Sequence, residues 1–129
     1  MKASEYNNLV SSETQEQIAL ADRLNLIKYN GRPLQWFHCP NEGKRSGKMA
    51  AILKRMGLKP GVPDIIILDT PPAFPIQKGA VIEMKRREDG KTSPEQEEWL
   101  EYFDNNSWVT GVANGIDEAL ELLKKWGYT

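Results

Sequence analysis

Apolar residues in the first quarter of the chain recur at the spacing of an α-helix. Between Ile18 and Ile27 they return mainly every third or fourth position, which predicts a helix over about residues 13–28. Ser11 or Ser12 would cap this helix, and the "GRP" that follows would end it. The first regular element is therefore predicted to be helical.

Further along the chain, short apolar runs alternate with longer amphipathic stretches. The short runs predict strands, at "LQWFHC", "DIIIL", "GAVIEMK" and "SWVTGVA". The longer stretches predict helices, at "KMAAILKRMG", "TSPEQEEWLEYFDNN" and "GIDEALELLKKWGY". Thr92 or Ser93 would cap the second of these, with Pro94 in its first turn. The order of elements fits an α/β (α+β) fold with a small mixed sheet flanked by helices.

Composition limits the class of protein. A length of 129 residues predicts a single domain, residues 1–129, and a charged fraction of 27% is typical of a soluble globular protein. The sequence shows no apolar run that could span a membrane and no signal-peptide pattern, so we expect a cytoplasmic protein. The single cysteine, Cys39, agrees with a reducing compartment.

The net charge of -1 hides an uneven distribution of charge along the chain. Residues 42–59 contain six basic residues and one acid, whereas residues 93–129 contain eight acids and two lysines. A basic region on a nearly neutral chain is typical of a polyanion-binding face. A solvated helix surface balanced by acids elsewhere explains the same pattern, and charge alone does not separate the two interpretations.

Ionisable residues lie at the edges of the two most apolar predicted strands. Asp64 opens "DIIIL", and Glu83 and Lys85 close "GAVIEMK". Residues i and i+2 of a strand share a face, so Glu83 and Lys85 should lie side by side and Met84 should face the other way. If Asp64 meets Glu83 on the adjacent strand, the two carboxylates repel unless a cation such as Mg²⁺ neutralises them. The alternative interpretations are that Asp64 is an acid in a turn or at a helix end and that Lys85 forms a structural salt bridge.

The "PD" before one strand and the "EMK" on the next resemble the PD-(D/E)XK nuclease superfamily. The longer pattern resembles its VRR-Nuc branch, and it extends from about Glu13 to Trp126 through "WFHCPNEGKRS", "LKRMGLKPGVPDIIIL", "IEMKR", "SPEQEEWL" and "GIDEALELL". The resemblance implies a restriction-endonuclease-like fold, a requirement for Mg²⁺ or Mn²⁺, and phosphodiester hydrolysis. Stand-alone relatives of this kind are similar to phage and bacterial proteins with Holliday-junction-resolvase-like architecture, often homodimeric.

The resemblance also implies roles for individual residues. Asp64, Glu83 and the main-chain carbonyl of Met84 would bind the metal, and Lys85 would orient a water or stabilise charge on the phosphate. Gln96 matches a recurrent family position, but it could equally close a capping box with Ser93.

The first helix offers several residues for a second metal position. Related nucleases place a Glu or Gln there, and Glu13 and Gln17 are preferred because they share a helix face. Glu16 is the fallback, and a solvent-facing acid is an equally good interpretation of any one of them. His38 is the only histidine, so it cannot form a histidine metal cluster, and a hydrogen-bonded structural role is favoured over contact with phosphate.

The "PNEGKRSGK" segment is the main candidate for holding nucleic acid, because glycines let phosphates approach the backbone and the basic side chains neutralise them. Arg86 and Arg87 could extend this track, and recognition of DNA shape, including branched DNA, is expected rather than recognition of a base sequence. A non-catalytic DNA-binding module with the nuclease fold and a metal-dependent phosphodiesterase acting on RNA are the alternatives. The candidate contact residues are Asn41, Lys44, Arg45, Ser46, Lys48 and Arg86.

Overall fold

The computed structural model describes residues 12–40 and 47–129. The helices in these ranges are α1 (Ser12–Leu26), α2 (Gly47–Arg55), α3 (Pro94–Asn105) and α4 (Ile116–Lys125). The strands are β1 (Lys28–Tyr29), β2 (Arg32–Pro33), β3 (Trp36–His38), β4 (Ile65–Ile67), β5 (Ala80–Lys85) and β6 (Val109–Asn114). No helix in these ranges combines the length and the apolar character that crossing a membrane requires.

The main sheet has four strands in the order β3-β4-β5-β6. The first two pairings are antiparallel, and β5 and β6 run parallel with α3 as their crossover. A parallel pair needs such a crossover because its two strands run in the same direction. The small mixed sheet flanked by helices that the sequence predicts is confirmed.

The two faces of the sheet have different neighbours. Ile82 and Met84 of β5 belong to the buried core, which also includes Leu20 and Leu24 of α1 and Leu123 of α4. Side chains alternate along a strand, so Glu83 is directed to the opposite face, where α3 packs against β5 and β6. The alternation in "AVIEMK" therefore fills the core with one set of side chains and places the charged set under α3.

A short hairpin, β1–β2, follows α1 and was not predicted from the sequence. The predicted helix to residue 28 was too long, because α1 ends at Leu26 and Ile27 is buried outside the helix. Asn30 and Gly31 both have positive φ, at 51° and 80°, as the tight turn of such a hairpin requires. The "NG" dipeptide indicates such a hairpin in the sequence. It was missed because the helical spacing of apolar residues continues to Ile27.

The predicted second helix is confirmed as α2, and a glycine ends it. Gly57 adopts a φ of 106°, and the backbone N–H of Leu58 donates to the carbonyl of Leu53 at 2.9 Å. This is the arrangement in which a left-handed residue closes a helix by satisfying its last carbonyls. None of the α2 residues is buried, so the helix lies on the surface.

Asp69 joins three parts of the chain at the end of the sheet farther from Glu83. Its carboxylate accepts two hydrogen bonds from the guanidinium of Arg32, at 2.6 and 3.0 Å, and one from the backbone N–H of Gln35 at 2.8 Å. Its carbonyl accepts a bond from the Tyr128 hydroxyl at 2.6 Å. The bonds from Arg32, and then the one from Gln35, hold the pKa of Asp69 below its ordinary value of 3.8.

We expect Asp69→Asn to lower the melting temperature at pH 7 by several degrees and to remove part of the acid sensitivity of the fold. A carboxylate with a depressed pKa stabilises the native state above its unfolded pKa, and this stabilisation is lost as the pH falls through the folded value. The gap between wild type and variant should therefore narrow below about pH 4 in thermal unfolding followed by circular dichroism. A gap that stays constant between pH 7 and pH 3 would contradict this account of Asp69.

Candidate functional site

Two buried carboxylates lie side by side at one end of the main sheet. Asp64 and Glu83 are each only 1% exposed. The register pairs Ile65 with Ile82, so one step further along the antiparallel pair Asp64 comes opposite Glu83. Asp64 Oδ2 also accepts a hydrogen bond of 2.8 Å from the backbone N–H of Met84. The expected meeting of Asp64 with the strand of Glu83 is thus present.

Lys85 stands beside Glu83 on the same face of β5, as the strand alternation predicts. Its Nζ is 3.9 Å from Glu83 Oε1, and its side chain is only 15% exposed. At 3.9 Å this ion pair is long, and the shorter contact of Lys85 Nζ is a hydrogen bond of 2.6 Å to Gln96 Oε1. The lysine is therefore oriented more by Gln96 than by the neighbouring acid.

Gln96 connects the start of α3 to both charged residues of β5. Its amide oxygen accepts hydrogen bonds from the Ser93 backbone N–H at 2.8 Å and from Lys85 Nζ, while its amide nitrogen donates to Glu83 Oε1 at 3.0 Å. The Ser93 hydroxyl in turn accepts from the Gln96 backbone N–H at 3.2 Å. The sequence left two interpretations of Gln96 open, a capping box with Ser93 and a position in the site. In the structure the Gln96 side chain closes the capping box and also bonds Lys85 and Glu83.

Gly61 allows the loop before Asp64 to approach this end of α3. It has a φ of 84°, and a Cβ at this position would lie 2.6 Å from the carbonyl carbon of Glu95 and 2.7 Å from the backbone nitrogen of Gln96. A side chain would clash with main-chain atoms, which have little freedom to move. The glycine thus lets the "GVPD" segment and the first turn of α3 pack closely enough to enclose the carboxylates.

His38 links Gln17 of α1 to Asp64. Its Nδ1 lies 2.9 Å from the backbone carbonyl oxygen of Asp64 and 2.8 Å from Nε2 of Gln17. In the tautomer with a proton on Nδ1, this nitrogen donates to the Asp64 carbonyl. In the other tautomer, Nδ1 accepts from the Gln17 side-chain amide, which can present either its nitrogen or its oxygen to the ring. Gln17 therefore reaches the site through His38, and its own contact with a metal stays a prediction.

The two glutamates of α1 have different surroundings. Glu16 pairs with Arg87 at 2.5 Å, and its Oε1 accepts a hydrogen bond of 3.2 Å from the backbone N–H of Ile116, at the start of α4. Gly115 offers no side chain to cap α4, so Glu16 supplies the missing acceptor from another helix. Glu13 lies one turn before Glu16, is partly buried, and stays the predicted acid for a second metal position.

The predicted nucleic-acid contact residues lie only in part within the described residues. Asn41, Lys44, Arg45 and Ser46 lie outside the described residues. Lys48 in the first turn of α2 and Arg86 just after β5 are both exposed. Arg87 had been grouped with Arg86, but its guanidinium bonds Glu16 and Asp117, and these bonds raise its pKa.

The donor set at the sheet end suits a hard divalent cation. Across residues 12–40 and 47–129, no group of three or more His, Cys, Asp or Glu side chains is placed to hold a metal ion. The ligands that the sequence predicts, Asp64, Glu83 and the Met84 carbonyl, are all oxygen donors. Mg²⁺ is commonly bound by one or two carboxylates, with water and substrate phosphate completing its shell, so this small set fits Mg²⁺.

We expect Gln96→Ala to destabilise the protein more than Ser93→Ala. Losing the Ser93 cap should cost about 0.5–2 kcal/mol. Gln96→Ala keeps the bond from its own backbone N–H to the Ser93 hydroxyl, but it removes the acceptor of the Ser93 N–H and the amide partner of Lys85 and Glu83, at about 1–3 kcal/mol for each buried group left unsatisfied. Urea unfolding of both variants measures the difference, with Glu101→Ala at an exposed position of α3 as the control. Equal losses for Ser93→Ala and Gln96→Ala would mean that the amide bonds to β5 contribute nothing to stability.

Comparison with known proteins identifies the family to which the chain belongs. The pattern of the VRR-NUC domain family matches residues 11–117, which include all four residues gathered at the sheet end. A solved structure described as a VRR_NUC domain protein is 29% identical and superimposes with a TM-score of 0.75, covering 91% of this chain and 88% of that chain. A search of curated proteins finds no match. The resemblance in the sequence is therefore confirmed, and the chain belongs to the VRR-NUC domain family, whose domain is of the nuclease type.

Proposed function

We propose that this protein is a Mg²⁺- or Mn²⁺-dependent DNA endonuclease that selects its substrate by structure. The observation that carries the proposal is the pair of buried carboxylates, Asp64 and Glu83, beside a lysine that Gln96 holds in place. The family membership of the chain supports phosphodiester hydrolysis as the reaction.

Burial of these acids is difficult to explain by stability alone. Moving a carboxylate out of water costs several kcal/mol unless hydrogen bonds or opposite charges compensate for it. Asp64 Oδ2 accepts a hydrogen bond from the backbone N–H of Met84, and Glu83 Oε1 accepts one from the Gln96 amide and lies 3.9 Å from Lys85 Nζ. Asp64 and Glu83 also come opposite each other, and two such like charges repel unless a cation neutralises them, which supports the two carboxylates as ligands for a cation.

Asp64, Glu83 and the Met84 carbonyl would hold the metal. When bound, Mg²⁺ would polarise the phosphodiester and lower the pKa of a water molecule. The protein itself contributes the fixed positions of the oxygen ligands, because both carboxylates are attached to adjacent strands and cannot move independently of the sheet. Such preorganised groups need no rearrangement when charge develops on the phosphate.

Lys85 would act on the negative charge of the transition state. Its ammonium lies on the face of β5 that carries Glu83, and its 2.6 Å bond to Gln96 fixes its direction. A positive charge held there would stabilise the phosphate oxygens or orient the attacking water. Gln96 is then a positioning residue, since it acts through Lys85 and Glu83.

The substrate proposed is branched or otherwise structured DNA. The exposed Lys48 and Arg86 would neutralise phosphates, and contacts of this type position a duplex without reading its bases. Asn41, Lys44, Arg45 and Ser46 complete the proposed track from the sequence alone. One chain carries one set of catalytic residues, so symmetric cutting of two strands at a four-way junction would require a homodimer.

We expect Glu83→Gln to abolish Mg²⁺-dependent cleavage while leaving DNA binding without metal intact or slightly tighter. The substitution keeps the shape of the buried side chain but removes a metal ligand and one negative charge. Cleavage is measured on duplex, flap, splayed-arm and four-way-junction DNA, with and without Mg²⁺, and affinity is measured in EDTA.

Glu88→Gln is the matched control, because it removes the same charge at an exposed position shortly after β5. It should cleave as the wild type does. Full Mg²⁺-dependent activity in Glu83→Gln would eliminate the proposed metal site, and equal cleavage of all four DNA forms would eliminate the structural selectivity.

We expect Lys85→Met to lower the single-turnover cleavage rate by roughly 10²- to 10³-fold, with much smaller changes in Mg²⁺ and DNA affinity. Methionine keeps an unbranched apolar side chain and removes only the ammonium. Lys78→Met, just before the other end of β5, is the control. If Lys85 forms only a structural salt bridge, the variant will instead lose melting temperature and retain near-normal turnover.

A further inference from the structure

A cavity of about 280 Å³ lies between the N-terminal half of α1 and the strand β3. Four α1 positions at helical spacing, from Thr14 to Ala21, form one wall, and Trp36 and His38 form part of the other. Since β3 is the edge strand of the sheet, no further strand of the described chain covers its outer side. Binding pockets for drug-sized ligands measure about 300–1,000 Å³, so this cavity suits a single small planar group.

Two aromatic rings are presented on the same side of β3. Trp36 and His38 are two residues apart, which directs both rings to one face and separates their Cα atoms by about 6.7 Å. Each ring is held by a hydrogen bond, from Trp36 Nε1 to Asn25 Oδ1 at 3.1 Å and from His38 Nδ1 to the Asp64 carbonyl. Fixed rings provide stacking surfaces that lose little side-chain entropy when a ligand binds.

The remaining lining combines apolar surface with a polar rim. Ile18 contributes aliphatic surface and is 40% exposed although it is a large hydrophobic residue, whereas Ile65 lies fully buried beneath the cavity. Gln17 contributes a side-chain amide, which can donate and accept hydrogen bonds. Flat apolar faces with a hydrogen-bonding edge are the chemistry of a nucleobase, and base stacking on aromatic side chains is the usual way in which proteins hold unpaired bases.

The cavity is connected to the catalytic end of the sheet. His38 contacts the backbone of Asp64, while the Asp64 carboxylate is directed to the opposite face of the sheet, with Glu83. A DNA strand that crosses the end of the sheet would thus have a base on the α1 side and a phosphodiester on the α3 side.

We propose that this cavity binds one unpaired nucleobase of the DNA strand being cut. The inference rests on the proposed nuclease function and names the feature by which that function selects its substrate. A base inside a duplex is paired and stacked, and freeing it costs a few kcal/mol, so strands with a free base near the cut are favoured. Flaps, splayed arms and junctions supply such bases, whereas an intact duplex does not.

The test compares protein variants with DNA that lacks single bases. Splayed-arm DNA is prepared with one abasic site at each successive position near the branch, and affinity is measured by fluorescence anisotropy in EDTA, so that no cleavage is needed. For the wild type, affinity should fall roughly 5- to 150-fold at one position, the range expected for losing one stacked base. On intact DNA, the affinity of Trp36→Leu should be lower than that of the wild type by a similar factor. The abasic site at that position should not lower the affinity of this variant any further.

Ala21→Leu gives a second route that leaves both rings and the carboxylates in place. The larger side chain reduces the space for a base, so it should weaken binding of intact DNA and not of the matched abasic DNA. Ala21→Ser, which keeps the space, is the control, and circular dichroism confirms that each variant is folded.

Equal wild-type affinity at every abasic position would overturn the proposal, as would a Trp36→Leu defect that is the same on intact and abasic DNA. Because binding is measured in EDTA, these outcomes are independent of whether Mg²⁺-dependent cleavage is observed. A chain that binds the base but does not cut would refute the nuclease function alone.

Discussion

The alternation of side chains along β5 is the constraint on which the rest of the molecule depends. This strand is paired on both sides, antiparallel to β4 and parallel to β6, so its register cannot shift without breaking two ladders. A shift of one residue would exchange Met84 for its charged neighbours and place Glu83 or Lys85 in the apolar core. The hydrophobic effect on one face of β5 therefore fixes the position of the charged groups on the other.

Residues near the N-terminal ends of α1 and α3 supply polar contacts to the sheet and to α4. The first turn of α3 provides Gln96, which closes a capping box and directs both Glu83 and Lys85. The N-terminal half of α1 provides Gln17, which meets His38, and Glu16, which caps α4 from outside. Unpaired N–H groups at a helix start attract acceptors, and side chains satisfy such groups at the start of α3, through Ser93 and Gln96, and at the start of α4, through Glu16.

The two faces of the sheet carry different kinds of side chains. The α3 face gathers the carboxylates of Asp64 and Glu83 and the ammonium of Lys85, to which the proposed function assigns phosphodiester hydrolysis. The α1 face carries aromatic rings beside a cavity, where stacking rather than charge would act on a substrate. His38 belongs to both regions, since its ring lines the cavity and its Nδ1 contacts the main-chain carbonyl of Asp64. Selectivity and chemistry would then be linked through the end of one short edge strand.

The sequence by itself determined the four strands of the main sheet, most helix boundaries and the position of Lys85 beside Glu83 on one face of β5. These follow from local periodicity, from the Ser93 and Pro94 start of α3 and from the strict alternation of "AVIEMK". The tertiary structure decided the features that depend on distant partners: the double use of Gln96, the commitment of Glu16 to α4, and the close approach at Gly61. Local patterns report which face a residue occupies, but a contact between elements depends on their packing. That packing minimises exposed apolar area over the whole chain, and no single window of sequence contains it.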